Sequence, residues 1–115
     1  MMSASRAANH LVDLLDDGTN SRFEFYFGRL TALPHGRVVH ALYESGARGL
    51  AVACKGAGFN VEIFAKIFFW LHGGREDPLF RTSNEFRSAV DFFHKVDAGK
   101  AQRMLDTWRQ TPATA

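Results

Sequence analysis

The chain has one cysteine, no long apolar run and almost no excess of charge, and each shortage excludes a class of protein. Cys54 is alone among 115 residues, which excludes an internal disulfide framework and suits a reducing cytoplasm. The most apolar run, Val61 to Leu71, is broken by Glu62 and Lys66 and is far too short to span a bilayer. The N-terminal stretch MMSASRAANHLVDLLDDG lacks the apolar core of a secretory signal. We therefore expect a soluble cytoplasmic protein with no membrane partner.

The chain also has almost no excess of positive over negative charge. Fourteen Lys and Arg residues are scattered among twelve Asp and Glu residues, for a net charge of +2. A dedicated nucleic-acid binder gathers its basic residues in a patch or stripe, so nucleic acid is not an expected partner. Hydrophobic residues make up 46% and charged residues 23%, which is ordinary globular usage and excludes wholesale disorder.

The spacing of polar residues contains no metal-ligand set and no catalytic constellation. The five histidines show neither an HxxxH pair nor the Cys–His spacing of zinc sites. A calcium loop beginning at Asp16 would need Gly at its sixth position and Glu at its twelfth, where Ser21 and Phe27 stand. Cys54 lies in a run of Ala, Val and Leu, which is typical of an inert buried thiol. We predict no catalytic residue, no metal and no cofactor, and therefore a protein that is not an enzyme.

Helical periodicity is the feature that recurs along this chain. Eleven phenylalanines against two tyrosines add apolar area without a polar group, which favours a packed core. The seven predicted helices are about Ser5–Asp16, Ser21–Ala32, His35–Glu44, Arg48–Lys55, Asn60–His72, a helix opened by Thr82-x-x-Glu85 that reaches Val96, and one that follows Asp97 and reaches Trp108. Residues 1–115 are predicted to form a single all-α domain, a compact helical stack or bundle, with a frayed tail at 111–115.

Three details of this prediction concern packing and turns. The Asn60–His72 helix is apolar almost all round, so we expect it at the buried centre of the domain, with Phe64 and Phe68 in the core. Gly46 is expected to end the third helix with a positive φ. Gly49 is expected to let the fourth helix approach its neighbour closely.

Three aromatic residues exceed what the inward faces of these helices need: Phe25, Phe69 and Trp70. Aromatic side chains are enriched in interface hot spots, and grooves between helices receive partner helices. We therefore predict a protein-interaction or scaffold module, with an unknown protein partner or with a second copy of the chain.

The alternative is an anion-binding or phosphotransfer role. Arg48 lies in the first turn of its helix, where a cation is unfavourable, so it is expected to have a specific partner. We favour a carboxylate within the fold over an external anion gathered with Arg37. His40-Ala41-Leu42 is similar to histidine-phosphotransfer domains, but these usually have Lys-Gly where Tyr43-Glu44 stands, so the cation that would hold a phosphoryl group is missing.

A resemblance to a known family covers residues 33–72. It rests on Leu33-Pro34, Arg37-Val38-Val39, Leu42, Gly46-Ala47-Arg48-Gly49-Leu50, Ala57-Gly58-Phe59 and Phe64. This pattern resembles the bacterial domain-of-unknown-function family 2336, from which it departs at Phe59-Asn60, where Leu-Pro is usual. Typical members are also much longer. The resemblance implies a compact HEAT-like helical stack, and it implies no activity and no catalytic residue.

Overall fold

Every regular element of the described part of the chain is helical. The computed structural model describes residues 3–16, 20–44, 46–74 and 76–110. Within these ranges it contains seven α-helices: α1 (Ser3–Asp16), α2 (Asn20–Thr31), α3 (His35–Val39), α4 (Gly46–Gly56), α5 (Val61–His72), α6 (Asn84–Lys95) and α7 (Ala98–Gln110). A π-helical turn (His40–Glu44) follows α3, and a 3-10 turn (Pro78–Thr82) precedes α6. The predicted all-α class is confirmed. The predicted frayed tail at 111–115 lies outside the described residues.

Two of the predicted helix starts are confirmed by side-chain caps. The Asn60 amide oxygen accepts a hydrogen bond of 3.0 Å from the Ile63 N–H at the start of α5. The Asp97 carboxylate accepts one of 2.9 Å from the Lys100 N–H at the start of α7. Each bond satisfies an N–H that has no partner within its helix, which explains why the chain turns helical at these points.

The start of α6 differs from the prediction by one residue. Ser83, rather than Thr82, is the cap, because its hydroxyl accepts from the Phe86 N–H at 3.1 Å. Thr82 belongs to the 3-10 turn, where its hydroxyl donates to the Leu79 carbonyl oxygen at 2.8 Å. The predicted capping box of Thr82 and Glu85 is therefore wrong, because the Thr82 hydroxyl already donates its hydrogen bond within the 3-10 turn.

The third predicted helix is not α-helical throughout. It is α-helical over His35–Val39 and π-helical over His40–Glu44. The wider turn still buries Ala41 and Leu42 completely. Gly46 follows with a φ of +67°, so its predicted positive φ is confirmed. Periodicity over a single turn cannot distinguish an α-helix from a π-helix, which differ by one residue in hydrogen-bond spacing.

The most buried helix is α4, not the predicted α5. Six of the 11 residues of α4 are buried, in one unbroken run from Gly49 to Cys54, against five of the 12 residues of α5. The reason is size: the short side chains of α4 let other helices approach it closely. At Gly56, an added Cβ would lie only 2.9 Å from the Ala101 carbonyl oxygen of α7.

The packing of α4 on α7 is the most extensive contact between helices, although α5 and α6 lie between them along the chain. In a linear helical repeat each unit contacts mainly its neighbours in sequence. This packing gives the HEAT-like stack no support, and the stack stays a prediction. None of the described helices is both long and apolar enough to cross a membrane.

Phenylalanine rings fill the core, as predicted. Phe64 is fully buried, and the centroid of its ring lies 5.0 Å from that of Phe93 and 5.9 Å from that of Phe68. Phe23 and Phe27 of α2 are also fully buried. Rings stacked in this way add about 0.5–1.5 kcal/mol per pair to the free energy of burial, so the contact between Phe64 and Phe93 helps to hold α6 on α5.

Candidate interaction surface

Phe25 is exposed on α2, as predicted. Its side chain is 65% exposed, whereas Phe23 and Phe27 are fully buried. Residues four apart share a helix face, and the residue midway between them points to the other side. The two buried rings therefore orient α2 and leave Phe25 on the outer surface.

A shallow apolar groove of about 370 Å³ lies beside Phe25, between α1 and α2. We name it the Phe25 groove; its lining consists of His10, Leu14, Ser21, Arg22, Phe25 and Tyr26. The rings of His10 and Tyr26 meet edge to face, with centroids 4.9 Å apart. This contact across the two helices gives the groove a packed wall.

Two arginines flank Phe25 on the same face of α2. Arg22 lines the groove, and the Arg29 guanidinium lies 5.9 Å from the centroid of the Phe25 ring. The spacing i, i+3, i+7 places these three residues in a stripe along the helix. Glu24, the acidic residue between them, accepts a hydrogen bond of 2.7 Å from the Tyr43 hydroxyl. The surface of the stripe is therefore aromatic and basic.

The structure corrects the prediction for Phe69. Its side chain is only 8% exposed, so it cannot anchor a partner on the surface. The 3-10 turn and α6 cover it: its ring packs on Phe80 and Phe86, and the Arg81 guanidinium lies 4.8 Å from its centroid. Trp70 is partly buried against the edge of Phe69, with ring centroids 5.9 Å apart, and its role in an interface stays a prediction.

Arg48 has an aromatic partner within the fold, and none of the described residues gives it the carboxylate that we favoured. Its guanidinium lies 5.6 Å from the centroid of the Phe92 ring. It opens onto a cleft of about 440 Å³ between α4 and α6, lined by Ala47, Arg48, Glu85, Ser88, Ala89, Asp91, Phe92 and Lys95. Two acidic and two basic residues share this lining, so their charges offset one another. Arg37 does not line the cleft, and the anion site formed by the two arginines stays a prediction.

His40 is accessible, as a phospho-acceptor must be, but its neighbour has the wrong charge. Its side chain is 48% exposed, and its Nδ1 atom lies 3.3 Å from the Glu44 carboxylate. A carboxylate repels a phosphoryl group where a phosphotransfer site needs a cation. The phosphotransfer alternative stays a prediction, and the neighbour that the structure gives His40 is this carboxylate.

Most of the chain matches one known protein family. The family DUF2336, described as an uncharacterised protein conserved in bacteria, matches residues 4–106. The chain belongs to this family. The match confirms the resemblance predicted from residues 33–72 and extends it from α1 into α7. No curated protein and no solved structure matches the chain.

In this DUF2336 protein, burial shifts the pKa values of two further titratable groups. Cys54 is fully buried, which confirms the predicted burial of this thiol, and burial raises the pKa of the thiol well above its usual range. Burial lowers the pKa of His72, while a hydrogen bond with the Leu42 carbonyl oxygen, 3.0 Å from Nε2, and the charge of Glu85 raise it in part. Sequence patterns missed this contact, because nothing local relates His72 to a residue of the π-helical turn.

Proposed function

We propose that this DUF2336 protein is a non-enzymatic protein-interaction module whose contact surface is the Phe25 groove. The observation that carries the proposal is the 65% exposure of Phe25 beside an apolar groove. Leaving a large aromatic side chain in water forgoes the free energy of its burial, which a partner can recover. Aromatic residues are enriched in the cores of interfaces for this reason.

The shape of the groove supports recognition of one side of a partner helix. It runs between two helices, and its volume of about 370 Å³ lies in the range of protein clefts that receive ligands. An amphipathic helix inserts a few apolar anchors into such a groove. The polar alternatives are weaker, since His40 lies beside a carboxylate and the Arg48 cleft has balanced charges. The single buried cysteine fits our proposal that the protein acts in the cytoplasm.

The proposal can be tested by affinity capture with matched variants. Wild type, Phe25→Ala and Leu79→Ala would be immobilised at equal density, exposed to lysate of the native bacterium, and the bound proteins quantified by mass spectrometry. Leu79 is the matched control, because it is an exposed apolar residue, 71% exposed, that does not line the groove. Circular dichroism would check that each variant keeps its helices.

We expect at least one protein that wild type and Leu79→Ala retain and that Phe25→Ala loses by about tenfold, as at an interface hot spot. The purified partner should show the same ranking by calorimetry. If no bound protein distinguishes Phe25→Ala from wild type, the Phe25 groove is not the interaction surface and the proposal is wrong.

A further inference from the structure

The Phe25 groove is positively charged on both sides of its aromatic residue. Arg22 and Arg29 lie one turn before and one turn after Phe25 on the outer face of α2. Neither arginine forms an ion pair with any residue in the described ranges. No acidic residue is among the side chains that line the groove in those ranges. Within the described ranges, the groove therefore presents two cations with no acidic side chain paired to them.

We propose that the partner is an amphipathic helix of another protein, with apolar anchors that cover Phe25 and with Glu or Asp residues beside them. This inference rests on the proposed function and specifies the chemistry of the occupant. Its apolar residues would contact Phe25, Leu14 and Tyr26, and its carboxylates would meet Arg22 and Arg29.

The position of Arg29 suits carboxylate binding. A guanidinium that lies over an aromatic ring keeps the N–H donors at its edge available, and that planar edge binds a carboxylate with two parallel hydrogen bonds. Arg29 lies over the Phe25 ring, with 5.9 Å between the guanidinium carbon and the centroid. An apolar anchor on Phe25 and a carboxylate on Arg29 can therefore belong to one partner helix. A basic partner would be repelled by both arginines.

A second copy of the chain is a poorer occupant. A two-fold symmetric contact places the same patch on both sides, so the arginine stripe of one copy would face that of the other. A stable interface also buries about 800 Å² on each partner. The apolar part of the groove comes from only a few side chains, and one of these, Leu14, is only 7% exposed. Charge and area both favour a separate acidic helix.

Two synthetic helical peptides test this chemistry directly. Both carry Leu at positions i, i+3, i+4 and i+7; one has Glu at the flanking positions and the other has Lys. Each peptide, labelled with fluorescein, is titrated against the full chain by fluorescence anisotropy at low and at high salt. The proteins are wild type, Phe25→Ala, the double variant Arg22→Gln/Arg29→Gln, and Arg87→Gln as a control arginine exposed on α6.

We expect wild type and Arg87→Gln to bind the Glu peptide at least about fivefold more tightly than the Lys peptide, as two exposed ion pairs allow. The double variant should lose this preference to within about twofold, and so should wild type at high salt. Phe25→Ala should weaken binding of the Glu peptide by about tenfold or more. This pattern would place both the anchor and the charges in the Phe25 groove.

Several outcomes would overturn the inference. These are equal binding of the two peptides, no binding of either, or a preference for Glu that survives in the double variant. A wild-type dimer in sedimentation that Phe25→Ala dissociates would assign the groove to a second copy. The capture experiment, repeated with the double variant Arg22→Gln/Arg29→Gln as a further immobilised protein, separates the two proposals. A captured protein that needs Phe25 but neither arginine contradicts the acidic partner alone, whereas capture that does not depend on Phe25 contradicts the interaction surface itself.

Discussion

The Lys55 ammonium contacts both the backbone and the ring of Phe93. The ammonium donates a hydrogen bond of 2.9 Å to the Phe93 carbonyl oxygen and lies 4.4 Å from the centroid of the Phe93 ring. Phe93 is in the last turn of α6, where the helix dipole is negative, and its carbonyl oxygen also accepts a longer bond of 3.3 Å from the Val96 N–H. A cation from α4 therefore caps α6 from outside.

Removing this cap should destabilise the fold. We expect Lys55→Met, which keeps the length and apolar stem of the side chain, to lower the free energy of unfolding by about 1–3 kcal/mol. The matched control is Lys66→Met, an exposed lysine of α5, which should change stability by less than about 0.5 kcal/mol. Urea denaturation followed by circular dichroism measures both. Equal effects of the two variants would show that the contact with Phe93 contributes nothing specific.

Gly56 should not tolerate even the smallest side chain. Alanine favours a helix over glycine by about 1 kcal/mol, but here its Cβ would lie 2.9 Å from the Ala101 carbonyl oxygen and 3.2 Å from a Leu105 methyl group. Backbone cannot move aside as a flexible side chain can, so Gly56→Ala should cost about 1–3 kcal/mol of stability. At Gly99, an added Cβ meets only side-chain atoms, the nearest being a carboxylate oxygen of Asp97 at 3.2 Å, and Gly99→Ala should change stability by less than about 0.5 kcal/mol. Thermal melts of both variants would decide this, and a stabilised Gly56→Ala variant would contradict the close packing of α4 on α7.

Opposite substitutions at Ala32 and Gly46 should have opposite effects on the free energy of unfolding. Ala32 ends α2 with a φ of +59°, and Gly46 has a φ of +67°. A positive φ costs a residue with a Cβ about 1–2 kcal/mol, part of which glycine loses again through its more flexible unfolded state. We expect Ala32→Gly to raise the free energy of unfolding by about 0.5–1 kcal/mol and Gly46→Ala to lower it similarly. No atom lies within 4 Å of a Cβ built at Gly46, so its effect isolates the backbone conformation. Changes of the same sign in the two variants would refute this explanation.

His72 should make stability depend on pH. Burial lowers its pKa, so in the window between that value and the ordinary pKa of about 6.5 the unfolded chain binds more protons than the folded one. The free energy of unfolding should therefore rise with pH through this window and fall on acidification. His72→Gln should flatten this part of the profile in denaturation experiments at about pH 5–7.5, and NMR titration of the ring gives the pKa directly. A variant with the slope of wild type would exclude His72 as the source.

Features that depend on a few neighbouring residues were predictable from the sequence. Asn60 and Asp97 cap their helices through bonds to a backbone N–H three residues ahead, and Gly46 turns the chain because only its own φ is involved. The exposure of Phe25 followed from the same local logic, since Phe23 and Phe27 occupy the inner face of α2. Local geometry alone sufficed in these cases.

Features that depend on distant packing were not predictable. Phe69 is buried because Phe80 and Phe86 fold over it, and no periodic pattern within α5 reports that cover. The central position of α4 likewise depends on where α7 returns. The groove itself required His10 and Leu14 of α1 to lie beside α2, which the pattern of either helix alone does not specify.

Because α7 packs on α4, the core around α4 cannot be completed until α7 has been synthesised. About forty residues separate the end of α4 at Gly56 from the start of α7 at Ala98. At usual rates of translation the ribosome needs roughly 2–8 seconds to add them. Ala101 and Leu105 are fully buried in the finished protein, and until they emerge the matching face of α4 has no cover. For those seconds the nascent chain exposes an apolar surface that the folded molecule buries.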